Sequence, residues 1–158
     1  VQTIQNQIDA MLQIKGQRTV EDIHKDLGKI MWDNVGMSRS KTSLLNALDA
    51  IPKIRDEFLN NVNIPGSNNE FNPELEKAGR LADFIDLGEL MAKDALDREE
   101  SCGGHFREEH QTEENEAKRD DEDYAYVAAW EYEKNNKHKL HKEQLEFKNV
   151  KLVTRSYK

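Results

Sequence analysis

The chain has 158 residues, of which 34% are charged and 36% hydrophobic, with a mean hydropathy of −0.92. That length allows one domain with a modest core, and the polar composition suits an amphipathic helical bundle better than a β-sandwich. The formal net charge of −8 argues against nucleic acid, which wants a basic face. No run approaches the about 18 apolar residues of a membrane-spanning helix, and no basic-then-apolar leader opens the chain. Helical periodicity starts at once from Val1, which reads like a piece cut from a longer polypeptide.

Ile4, Ile8, Met11 and Leu12 fall at helical spacing, predicting a first helix over residues 1–15 that Gly16 ends. Thr19 is suited to N-cap the next helix, with Asp22 where a capping-box acid would stand. That helix carries Val20, Ile23, Leu27, Ile30 and Met31 on one face, and Gly36 follows it. A third helix runs from about Ser40, striped with Leu44, Leu45, Leu48, Ile51, Phe58 and Leu59. Pro52 is expected to kink it, because proline lacks the amide donor and crowds the preceding turn.

The Asn-, Gly- and Pro-rich stretch Asn60–Pro73 reads as a loop. Asn72 can cap a fourth helix that has Pro73 in its first turn and runs to about Ser101. Its apolar residues include Leu81, Phe84, Ile85, Leu87, Met91 and Leu96. The small Gly79, Ala82, Gly88 and Ala92 would let a neighbouring helix approach closely. Cys102-Gly103-Gly104 is expected to stop this helix.

Charge is unevenly distributed beyond that point. Residues 99–123 hold eleven acids against three Lys or Arg, a net −8, whereas residues 124–158 hold eight bases against four acids, a net +4. The stretch 105–123 is expected to be an extended surface connector too charged to bury anything. Tyr124–Tyr132 and the alternating Leu145–Thr154 are expected to pair as a small hairpin across the polar Glu133–Lys142. The fold class is thus mainly α, a three-to-four-helix bundle (1–104), an acidic connector (105–123) and a C-terminal β extension (124–158).

Chemistry-bearing residues are few. His105 and His110 flank Glu108 and Glu109, but a spacing of five does not align two ligands on one helix face, which needs three or four. His138 and His141 sit in a Lys-rich turn and read as structural. Cys102 is the sole cysteine, which excludes an internal disulfide and multi-cysteine metal sites, with a reducing compartment as the default. A helix C-terminus also disfavours its thiolate. No G-x-G-x-x-G or P-loop is present, and the Glu/Asp runs are dense enough for adjacency to be accidental. Trp32 and Trp130 read as core or domain-interface anchors. No metal is expected, and nothing here supports chemistry in this chain.

Three stretches carry a resemblance. Met31–Arg39 follows an M-W-x-x-x-G-x-x-R pattern; Glu99–Glu109 (EESCGGHFREE) follows E-S-R-G-x-H-x-R-x-D; and Arg119–Tyr124 follows R-D-D-x-x-aromatic. Leu145–Thr154 is similar to a terminal L-E-Y-x-x-V-K-aliphatic strand. Together they resemble the C-terminal domain of the succinate dehydrogenase and fumarate reductase flavoprotein subunit, over essentially the whole chain. One position departs: Cys102 stands where most members have Arg.

The resemblance implies a spectrin-repeat-like bundle with a small β extension, packed on a preceding flavin domain. It implies a parent oxidoreductase that interconverts succinate and fumarate at FAD bound by the preceding domains. Electrons would pass through an iron–sulfur subunit, and indirectly a cytochrome b anchor, to or from a quinone. It also implies a cytoplasmic location, peripheral on the inner membrane. No catalytic or cofactor-binding residue carries over to this chain. Glu100, Ser101, His105 and Arg107 match the middle motif and are expected to fix the bundle's end against the flavin domain. Arg119 and Asp121 match the next motif and are expected to hold the connector. The equivalent domain of L-aspartate oxidase, or a free-standing helical interaction module, are the other readings.

Overall fold

The computed structural model describes residues 2–133 and 137–153, and its contacts divide the chain into two compact units, Val1–Glu99 and Glu100–Lys158. The first unit contains α1 (Gln2–Gln13), β1 (Arg18–Thr19), α2 (Val20–Asn34), β2 (Ser38–Arg39), α3 (Lys41–Asn61), β3 (Val62–Asn63) and α4 (Pro73–Asp97). The second contains β4 (Phe106–Arg107), β5 (Tyr126–Glu133) and β6 (Lys137–Gln144). The mainly helical class with a C-terminal hairpin is therefore the one expected.

Local sequence sets the helix starts. Thr19 accepts a hydrogen bond from the Asp22 amide at 3.1 Å, filling one of the donors a helix leaves open. Ser40 and Ser43 form a reciprocal box, each hydroxyl accepting from the other's amide, at 3.1 and 2.9 Å. Asn72 accepts from the Leu75 amide, with Pro73 at the first helical position. α3 remains helical on both sides of Pro52.

The core of the first unit comes from the apolar stripes of α2, α3 and α4: Ile23, Leu44, Ala47, Ile51, Ala78, Leu81, Ile85 and Ala92 are all at most 1% exposed. Gly88 belongs to this packing, since a Cβ there would lie 3.1 Å from Met31 Sδ. Gly79 does not; nothing lies within 4 Å of where its Cβ would stand. α1 buries none of its residues fully, although Met11 and Leu12 pack against the core.

Several details correct the sequence expectations. The supposed loop after α3 begins with a strand: β3 pairs in parallel with β1, Arg18 opposite Val62 and Thr19 opposite Asn63, and both Val62 and Ile64 are buried. This junction requires Gly16, because a Cβ there would lie 1.8 Å from the Asn61 carbonyl oxygen. α4 stops at Asp97, four residues before Ser101, with Arg98 extended as its cap. Trp32 is 84% exposed and so is no core anchor of this unit, while Trp130 is half-buried.

The hairpin exists, but its second strand is not Leu145–Thr154. β5 pairs antiparallel with the Lys- and His-rich β6, and residues 145–153 form no strand; Thr154 lies outside the described residues. The nearer segment closes a shorter loop, which costs less entropy. It also sets Glu131 opposite Lys139 and Glu133 opposite Lys137, while Trp130 meets Leu140 on the other face.

Candidate functional site

The segment that follows α4 folds back on itself through its own backbone. Cys102 and His105 exchange both backbone hydrogen bonds, at 2.8 and 3.0 Å, closing a tight turn. Gly103 sits in this turn at φ +60, a conformation that glycine adopts without steric cost. Just outside it, the Ser101 hydroxyl bonds to both polar backbone groups of one residue. It accepts from the Arg107 amide at 2.8 Å and donates to the Arg107 carbonyl at 3.1 Å. Ser101 is wholly buried and Arg107 is 1% exposed, so the hydroxyl satisfies two groups that water does not reach.

A second layer of ties joins this turn to the chain further on. The Ser101 amide donates to the Lys118 carbonyl at 2.9 Å, and the Lys118 amide donates to the His110 carbonyl at 3.1 Å. The Glu100 carboxylate, 3% exposed, accepts from the Asp120 amide at 2.9 Å. Between them, Thr112 and Glu116 close a turn through a 2.8 Å backbone bond, with Asn115 at φ 61. The Asp120 side chain accepts from the Glu122 and Asp123 amides, so this run of acids starts with a turn built on its own backbone.

Residues 105–123, expected to bury nothing, therefore include one of the most buried side chains of the protein. The Arg107 guanidinium pairs with Glu109 at 3.3 Å, with the carboxylate side chain 41% exposed. Buried guanidinium is tolerated only where it is paired and hydrogen-bonded. The density of charge along the sequence concealed this, because inward and outward charges look alike in a linear reading.

Arg119 and Asp121 do meet. Arg119 Nε lies 2.9 Å from Asp121 Oδ1 and its Nη2 lies 2.7 Å from Oδ2, a forked geometry. The hydrogen bond to Asp121 raises the Arg119 pKa above its ordinary value, against a smaller opposing effect of burial. Its Nη1 donates to the Val153 carbonyl at 3.1 Å, fastening the C-terminal segment to the same knot. Of the six residues singled out from the sequence, Glu100, Ser101 and Arg107 are buried on either side of the Cys102–His105 turn. Arg119 and Asp121 form a tie at its margin, and half-buried His105 closes the turn with its backbone.

What sequence reasoning missed is the role of backbone groups at Lys118 and Asp120; no side-chain pattern marks them. Cys102 is exposed, although its backbone closes the turn with His105. Among the described residues, no group of three or more His, Cys, Asp or Glu side chains is placed to hold a metal ion.

Comparison with known proteins agrees with this architecture. Residues 24–157 match the family model described as fumarate reductase flavoprotein C-term. Over 96 residues the chain is 33% identical to an uncharacterized FAD-dependent oxidoreductase of Methanocaldococcus jannaschii, covering 61% of this chain and 17% of that protein. Over 88 residues it is 34% identical to a fumarate reductase (CoM/CoB) polypeptide of Methanothermobacter marburgensis, covering 56% and 16%. The chain thus spans about a sixth of the length of the curated relatives it matches. The fold superposes on the quinol fumarate reductase of E. coli with a TM-score of 0.82 at 19% identity, covering 96% of this chain and 25% of that one. With an apo Mycobacterium smegmatis Sdh1 complex the TM-score is 0.61 at 27% identity, covering 68% and 18%. The chain belongs to the fumarate reductase flavoprotein C-terminal family, the C-terminal helical domain of the succinate dehydrogenase and fumarate reductase flavoprotein subunits.

Proposed function

We propose that this chain is the C-terminal support of a flavoprotein subunit that interconverts succinate and fumarate. The match of residues 24–157 to the family model carries this reading. The FAD and the substrate-binding groups belong to the preceding part of the polypeptide, where the flavin supplies the two-electron chemistry. This chain has no G-x-G-x-x-G loop of its own to cradle a dinucleotide.

Electrostatics favours the same division of labour. Succinate and fumarate are dianions and need cationic partners. Residues 99–123 carry a net −8, which repels them. The role proposed for the knot is therefore mechanical: Glu100, Ser101 and Arg107 hold a rigid turn, with His105 in it, that bears on the flavin domain. Arg119 and Asp121 keep the following segment in register. Beyond the flavoprotein, electrons pass through an iron–sulfur partner to or from a quinone at a cytochrome b anchor. The flavoprotein is peripheral on the cytoplasmic face of the inner membrane. No helix among the described residues is long and apolar enough to cross a membrane.

The test compares the isolated chain with the full-length subunit. Changing His105 and Arg107 together to Ala in the full-length subunit is expected to lower flavin retention and assembly. Unchanged stability and activity would remove the special role of the turn. The isolated chain is expected neither to retain FAD nor to oxidise succinate, and stoichiometric flavin binding by it would contradict the assignment of the cofactor to the preceding domains.

A further inference from the structure

We draw no further inference here: the strongest candidate, the open apolar groove between α2 and α4 lined by Leu27, Met31, Phe84, Leu87 and Met91 beside His24, carries nothing because nothing in the structure shows what covers it.

Discussion

Ser101 shows how much one hydroxyl can hold. It satisfies both the amide and the carbonyl of Arg107 in a site that excludes water. Ser101→Ala removes both of these buried hydrogen bonds, although the Arg107 carbonyl still accepts from the His110 amide at 2.9 Å, and loss of a buried partner costs about 1–3 kcal/mol. Urea unfolding of the chain should therefore show a midpoint clearly below the parent's, with an unchanged slope. A parent-like midpoint would mean that another group replaces the hydroxyl. At the surface, the Lys25 hydrogen bond holds the Glu21 carboxyl below its ordinary pKa. A depressed carboxyl contributes stability above its unfolded value and loses it as pH falls through the lower folded value. Lys25→Ala should return the Glu21 titration to its ordinary range, followed by side-chain NMR. The pair is too exposed for this change to move the unfolding midpoint measurably. Ser101 and Arg107 could be singled out in the sequence through a family motif. Their inward direction could not, because the atoms that Ser101 binds are backbone groups.

At the scale of elements, the helix starts were the most legible part of the chain. A cap is a contact between residues three apart, Thr19 with Asp22 and Asn72 with Leu75, so both partners stand close together in the sequence. Asn72 also shows a limit of that reading. Its side-chain amide donates to the Pro65 and Ser67 carbonyls, at 2.8 and 3.1 Å, so it anchors the preceding loop as well as α4. Asn72→Ala is expected to destabilise by about 1–2 kcal/mol in chemical denaturation, and Asn72→Ser should recover only the capping share. Full recovery by Ser would show that the loop bonds contribute nothing.

Helix pairing is held by packing and by ionic contact. Arg55 on α3 reaches Asp86 and Glu89 on α4, at 2.9 and 2.5 Å. Burial pulls the Arg55 pKa down, but the hydrogen bonds it donates to Glu89 and Asp86 outweigh this together and the value ends up raised. The strand pairing of β1 with β3 was invisible beforehand, since each strand is two residues long and too short for alternation to register. Gly16 makes that junction possible. Gly16→Ala drives a Cβ into the Asn61 backbone and should reduce the folded fraction severely, measurable by circular dichroism. A parent-like spectrum and melting curve would disprove the close approach.

For the molecule as a whole, stability of the first unit rests on the layer shared by α2, α3 and α4. Ile51→Ala, at a site with no exposure, is expected to cost about 2–5 kcal/mol in thermal or chemical unfolding. A cost below that range would mean that the neighbouring helices collapse into the space.

The sequence alone determined the helical class, the helix order and the capping residues, and it displayed the motifs of a flavoprotein C-terminal domain. These depend on residues within a turn or two of each other, or on short linear patterns, so the linear chain displays them. Only the tertiary structure decided that Arg18 pairs with Val62, that β5 takes the lysine-rich strand as its partner, that Trp32 stays exposed and that Arg107 turns inward. Each of those outcomes depends on which distant backbone or side chain arrives at the same place. Burial is a property of the assembled packing, and a charged residue carries no mark in the sequence of the side it will face.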